Sequence, residues 1–180
     1  MKICLGKDVP VNNGDPTVKI KYTEKDFLNA VEKISNDIKK CYGDKKIGLI
    51  GLARGGLPLT VAVSHRLDIR EISVVQIKMT KSNKKWDYGS PEWVNGYINE
   101  NVDGYIIFED IVSHGRSVNL LVNELKKQGK EVFCIYSLFL NSEMKKLKLD
   151  NETMDIKYVD LINQNQWVNF FWEKGYLEDN

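Results

Sequence analysis

Tyr105-Ile106-Ile107-Phe108-Glu109-Asp110-Ile111-Val112-Ser113-His114-Gly115-Arg116-Ser117 decides how the rest of the chain is read. Four apolar residues run into an adjacent carboxylate pair, two more apolar residues follow, and a short polar loop carries one Gly. Beyond Ser117, the apolar positions Val118, Leu121, Val122 and Leu125 recur at helical spacing. The pattern predicts a buried strand, a loop at its carboxyl end and a helix that starts from that loop. N–H groups at a helix start point at an anion. Ser113, Arg116 and Ser117 add hydroxyl and guanidinium donors, so the loop reads as a phosphate site. Two carboxylates beside such a cradle need a group that bridges the opposing charges, as a sugar diol or a hydrated Mg2+ would. Taken alone, the stretch is also compatible with an ordinary strand-loop-helix whose Glu-Asp pair is solvated.

A second stretch repeats the logic. Ile47 to Ala53 is a short apolar run that ends in Arg54-Gly55-Gly56-Leu57-Pro58, and an apolar helix is predicted from Leu59 to Leu67. Glycines at a strand end let backbone N–H groups approach a phosphate, and Arg54 adds charge. The other reading of this tripeptide is a turn with a surface Arg. His65, inside the apolar helix, reads as structural. A third stretch is the tail Gln166-Trp167-Val168-Asn169-Phe170-Phe171-Trp172-Glu173, whose aromatics suit either stacking on a planar base or a strand of the core.

Around these, the chain alternates. A short strand is expected over Thr17–Tyr22, after a loop over Asp8–Pro16. Thr23 with Asp26 forms a helix start, and Phe27, Leu28, Val31, Ile34 and Ile38 form one helical face ending near Gly43. Further strands are predicted at Ile72–Ile77, Glu131–Leu140 and Ile156–Leu161, with a polar connection over Asn141–Asn151. Met79–Asp103 breaks every pattern, being Lys-rich with Trp86, Tyr88, Trp93 and Tyr97. Such a segment is either a functional lid or an extra hairpin. The alternation predicts an α/β fold with a mostly parallel sheet flanked by helices and ligands at the carboxyl ends of its strands.

The whole-chain numbers fit one domain. The 180 residues are 42% hydrophobic and 28% charged, enough for a sizeable core. A net charge of +1 offers no general attraction to nucleic acid, so anion binding must be local. Cys4, Cys41 and Cys134 are odd in number and lack metal-ligand spacing, which suits free thiols in a reducing compartment. With no apolar run of membrane-spanning length, the expectation is a cytoplasmic protein that engages no membrane.

At its three informative stretches, the chain resembles the type I phosphoribosyltransferases, and its tail is similar to the Trp-x-x-x-Pro-Trp-acid element of bacterial and archaeal purine phosphoribosyltransferases. The resemblance implies a single domain over 1–180, with 79–103 as a lid loop and 162–180 as a small C-terminal hood that binds the base. It implies an enzyme that joins a nucleobase, a 6-oxopurine such as xanthine, guanine or hypoxanthine, to phosphoribosyl diphosphate. By the same resemblance, Glu109 and Asp110 hold the ribose hydroxyls, and Ser113, Gly115, Arg116 and Ser117 hold the 5′-phosphate. Arg54 and Gly55 hold the diphosphate, with a non-proline cis peptide bond expected at Ala53–Arg54. Trp167 stacks on the base, backbone at Val168 reads its edge, and Asp110 and Glu173 help hold Mg2+. A homo-oligomer, dimer or tetramer, is implied as well.

The chain departs from that pattern in four places. Phe171 stands where Pro is usual, and Ser113 where 6-oxopurine enzymes place an Asp base. His114 stands where Thr is usual and is either a substitute base or a lining residue of the phosphate loop. Asn141 stands where a Lys contacts the exocyclic oxygen, leaving Lys145 or Lys146 to reach back. The alternatives are therefore a divergent transferase for another nitrogen acceptor, or a non-catalytic sensor of phosphoribosyl diphosphate. A Rossmann dinucleotide enzyme is excluded by the lack of a Gly-x-Gly-x-x-Gly turn after the first strand.

Overall fold

A computed structural model describes residues 19–80, 88–144, 146–149, 153–163 and 166–174. In chain order the elements are β1 (Lys19–Tyr22), α1 (Glu24–Tyr42), β2 (Ile47–Ala53), α2 (Gly56–Leu67), β3 (Ile72–Thr80), β4 (Tyr88–Tyr97), β5 (Gly104–Val112), α3 (Arg116–Lys127), β6 (Val132–Asn141), β7 (Leu147–Lys148), β8 (Thr153–Met154), β9 (Ile156–Ile162) and β10 (Trp167–Phe170). Six strands form the main sheet in the order β4-β3-β2-β5-β6-β9, parallel except for β4 against β3.

The central strands are apolar on both faces because both faces are covered. Leu49, Ile106 and Phe108 pack with α1 and α2, whereas Ile50 and Ile107 pack with α3. Helix α1 opens with the expected Thr23–Asp26 pair as a reciprocal capping box: the Asp26 N–H donates to Thr23 Oγ1 and the Thr23 N–H to Asp26 Oδ2, each at 3.2 Å. Its Phe27, Val31, Ile34 and Ile38 are buried, as their spacing predicts, while Leu28 is 56% exposed. Helix α3 carries the predicted Val118, Leu121, Val122 and Leu125 stripe and ends before Gly129, whose φ of 71° suits a residue without a side chain.

Topology fixes where a ligand can enter. From β2 the chain runs outward through β3 to β4, then returns to β5 on the other side of β2 and continues to β6 and β9. Helices α2 and α3 leave neighbouring strands toward opposite faces. The order therefore reverses between β2 and β5, and the loops at their carboxyl ends diverge to leave a crevice.

A small second sheet lies over this end. β1 pairs in parallel with β10, matching Lys19 with Trp167 and Tyr22 with Phe170. Its aromatic underside anchors it: Tyr22 meets Phe139 of β6 edge-on at 5.2 Å, Phe27 of α1 meets Trp172 at 5.3 Å, and Trp172 stacks on Phe170 at 4.6 Å. Phe171, standing where Pro is usual, packs on Phe27 in the same cluster.

The structure corrects three sequence expectations. Helix α2 begins at Gly56, three residues before the predicted Leu59, because Pro58 sits in its first turn, where a missing N–H costs nothing. Within 79–103, residues 88–97 are not irregular lid loop but the edge strand β4, hydrogen-bonded to β3, which is the hairpin alternative. The connection over 141–151 contains β7, which pairs with β8 and buries Leu147. The loop over Asp8–Pro16, and Cys4, Trp86 and Lys145, lie outside the described residues. Among the described residues, no helix is long and apolar enough to cross a membrane.

Candidate active site

The crevice between β2 and β5 gathers the two anion loops. Gly55 and Gly56 are required here by proximity, not by unusual φ. A Cβ on Gly56 would meet the Phe108 carbonyl of β5, and one on Gly55 would collide with the Asp110 carboxylate. The Arg-Gly-Gly turn is thus pressed against the acidic pair. The peptide bond Ala53–Arg54 is cis, where it was expected, and Arg54 is exposed at the mouth.

Glu109 and Asp110 end the buried part of β5, each half-buried. Glu109 accepts from the Asp110 N–H at 3.1 Å, and Asp110 accepts from the Ile111 N–H at 2.6 Å. Ser137 of β6 donates to the Asp110 carbonyl at 3.2 Å, holding the strand end in register. Burial pushes Glu109 well above the usual carboxylate range, and the neighbouring Asp110 charge adds to it. Burial also raises Asp110, against the hydrogen bonds it receives from Glu109 and Ile111. The pair offers adjacent oxygens to a diol.

Beyond the pair lies the loop expected to hold a phosphate. Gly115 caps α3 with φ 66°, a conformation that favours glycine. A Cβ there would stand 2.5 Å from Met144 Cε and 2.7 Å from Leu147 Cδ1, so the loop rests on the β6–β7 connection. No side chain caps this helix, and its first N–H groups have no intrahelical carbonyl to bond, which leaves them to an anion. Arg116 is exposed and Ser117 half-buried at the same turn. His114 is exposed too, its Nδ1 3.3 Å from Ser113 Oγ.

The tail closes the arrangement. Glu173 accepts from the Phe170 N–H at 3.3 Å. Its carboxyl is raised first by burial and also by the Asp110 charge, while Arg54 lowers it. Arg54, Asp110 and Glu173, read from three separate stretches, therefore share one electrostatic environment. Trp167 presents 42% of its surface, whereas the Val168 side chain is in the core. The Phe171 N–H donates to Tyr22 of β1, so by strand alternation the backbone groups of Val168 and Phe170 face away from β1. Val168 thus offers an amide and a carbonyl beside the Trp167 ring.

Oxygen donors of opposite carboxylates with one nearby guanidinium suit a hard cation bound partly by ligand phosphates. Among the described residues, no three His, Cys, Asp or Glu converge into a complete metal cage. Asn141 is buried and spends its side-chain oxygen on the Glu143 N–H at 2.9 Å, while Lys146 pairs with Asp155 at 3.6 Å. Met144 and Leu147, which support the Gly115 loop, and Ser137, which holds the Asp110 carbonyl, carry no motif in the sequence. Only the apolar Leu147 and Leu149 within a Lys-rich run hinted at them.

Fold and site together define a transferase of activated ribose phosphates. The chain belongs to the phosphoribosyl transferase domain family, whose model matches residues 21–179. Hypoxanthine-guanine phosphoribosyltransferase of Streptococcus pyogenes is 24% identical over 135 residues, covering 73% of this chain and 74% of that protein. Orotate phosphoribosyltransferase of Listeria innocua is 25% identical over 146 residues, covering 81% of this chain and 65% of that protein. Among solved structures, the xanthine-guanine-hypoxanthine phosphoribosyltransferase of Helicobacter pylori superposes with a TM-score of 0.68 at 21% identity, covering 90% of this chain and 99% of that one.

Proposed function

We propose that this enzyme transfers the phosphoribosyl group from phosphoribosyl diphosphate to a ring nitrogen of a nucleobase, a 6-oxopurine first among acceptors, and releases diphosphate. The observation that carries the reading is the Arg54–Gly55 turn pressed against the Asp110 carboxylate, with Glu173 within reach of the charges of both Asp110 and Arg54. In this reading, Ser113, Gly115, Arg116, Ser117 and the first N–H groups of α3 hold the 5′-phosphate. Glu109 and Asp110 accept from the ribose hydroxyls and favour the positive charge that develops at the anomeric carbon as its bond to diphosphate breaks. Arg54 and the Gly55 turn take up the negative charge of the departing group. Trp167 stacks on the acceptor, the Val168 amide and carbonyl read its edge, and His114 takes the proton released as the new C–N bond forms. Asp110 and Glu173 would hold Mg2+, which supplies charge neutralisation for the diphosphate when bound.

A second acceptor class is favoured by one specific observation. Ser113 and Asn141 stand where an acid and a lysine suit a 6-oxopurine, Asn141 spends its side-chain oxygen on the Glu143 N–H, and orotate enzymes stand among the relatives. We place the enzyme in the cytoplasm, in line with free Cys41 and Cys134, and as a homo-oligomer. Diphosphate release with Mg2+ and a panel of xanthine, guanine, hypoxanthine, adenine, uracil, orotate and nicotinate tests the reading. Release with one 6-oxopurine and formation of its nucleotide is the expected result, release with orotate alone selects the second class, and silence with tight donor binding points to an acceptor outside the panel or to a sensor. Within an active pair, Glu109→Gln with Asp110→Asn abolishes turnover, whereas Trp167→Ala raises the KM for the base and leaves donor affinity unchanged.

A further inference from the structure

At the opposite end of the sheet from the crevice lies an open surface pocket of about 490 Å3, within the range that holds a small ligand. It sits where the β4–β5 connection, the C-terminal end of α3 and the start of β6 meet, roughly 20 Å from Asp110 along β5. Trp93 and Tyr97 form its aromatic wall, and Asn99, Glu100, Asn101, Gln128 and Lys130 are its polar groups. The Lys130 side chain is only 14% exposed, so its ammonium needs an anionic partner. It has one in Glu100 at 3.1 Å, but that carboxylate is 80% exposed on a connecting segment. A cation that is covered while its counter-charge lies in solvent can exchange that counter-charge for a ligand's at little cost.

We propose that this pocket is a second, regulatory site for a nucleoside 5′-monophosphate, its base against Trp93 and Tyr97 and its phosphate taking the place of Glu100 on Lys130. The choice of a nucleoside monophosphate rests on the phosphoribosyl-transfer reading, in which that is the product class. Asn99 Oδ1 accepts from the Asn101 N–H at 3.1 Å and Gln128 Nε2 donates to Glu124 at 3.2 Å, so the Asn99 amide N–H, the Gln128 amide oxygen and the Asn101 side chain are what pair with a base edge. An isolated aromatic carboxylate would satisfy the cation but leave much of the volume unfilled. Two elements connect the sites: α3 begins at Arg116 beside Gly115 and is capped by Gln128, and β5 carries both Tyr105, whose hydroxyl donates to the Asn99 carbonyl at 2.5 Å, and the acidic pair.

The test is calorimetric titration of the full chain with guanosine and uridine 5′-monophosphates. It is run on wild type and on the Glu109→Gln/Asp110→Asn variant, which disables ribose recognition at the crevice. Binding of at least one nucleotide should survive in the crevice variant. Lys130→Met and, separately, Tyr97→Ala in that background should weaken it by at least about tenfold. Glu100→Gln should tighten it, a gain that misfolding does not produce. Loss of all binding in the crevice variant, or binding indifferent to both Lys130→Met and Glu100→Gln, overturns the proposal. Neither result bears on the transfer reading, which stands or falls on diphosphate release by wild type.

Discussion

Gly55 is where the architecture meets the chemistry at the level of one atom. A turn that carries Arg54 to the crevice mouth must pass the Asp110 carboxylate so closely that no Cβ fits. The obstacle is a charged group fixed by its own backbone bonds, not the far end of a flexible chain, so Gly55→Ala can be relieved only by moving the turn or the acid. We expect a stability cost of about 1–3 kcal/mol, as for overpacking in a core. The loss in kcat/KM should be larger in proportion, at least about 100-fold, because the positions proposed for diphosphate and ribose shift together. Thermal melts with steady-state kinetics separate the two, and a variant that melts lower yet turns over normally would show that the turn does not position the reactants. The residue's importance was legible in the Arg-Gly-Gly tripeptide. Its physical reason was not, because nothing local says that Asp110 lies across the turn.

At the scale of elements, the phosphate loop depends on a support that it does not contain. Gly115 rests on Met144 and Leu147, which come from the connection after β6, and Leu147 is buried in the cluster beneath α3. Asn119 of α3 also donates its side-chain amide to the Lys148 carbonyl, tying the helix to β7. Leu147→Ala should cost about 2–5 kcal/mol and leave space under Gly115. The loop would then hold the 5′-phosphate less firmly, so donor KM should rise while acceptor KM stays near wild type. Equal changes in both constants would place the support elsewhere. The main elements follow from local signals: two-sided apolar runs for β2 and β5, a capping box and stripe for α1, and a helical stripe for α3. The contents of 79–103 and 141–151 do not. β4 is a strand because β3 pairs with it, with register shifts near Ile77 and Thr80, and β10 pairs with a strand from the other end of the chain. Pairings of that kind carry little local periodicity.

For the whole molecule, the same division separates stability from function. Away from the crevice, Asp37 of α1, Tyr136 of β6 and Lys157 of β9 meet: Asp37 Oδ2 accepts from Tyr136 at 2.5 Å and from Lys157 at 2.6 Å. Burial alone would raise Asp37, but the hydrogen bonds from Lys157 and Tyr136 outweigh it and hold the carboxyl below its usual value. Burial alone would lower Lys157, but its bond to Asp37 outweighs that and raises it. A carboxyl lowered in the folded state contributes stability above its unfolded pKa, and that contribution is lost as pH falls through the folded value. A lysine raised in the folded state contributes below its unfolded pKa, and loses it as pH rises through the folded value. Lys157→Met should therefore destabilise the fold by roughly 1–2 kcal/mol across neutral pH, between the exposed and buried ion-pair cases. The gap from wild type should shrink below about pH 4 and above about pH 10. Because the pair touches neither anion loop nor the hood's Trp167, kcat and both KM values should stay at wild-type levels well below the melting temperature. Denaturant titrations across pH, run beside diphosphate-release kinetics, check both halves. A pH-independent gap would mean that the variant acts through lost packing of the lysine stem on Tyr42 and Tyr136, over which its ammonium lies at 5.8 and 5.4 Å, and not through charge.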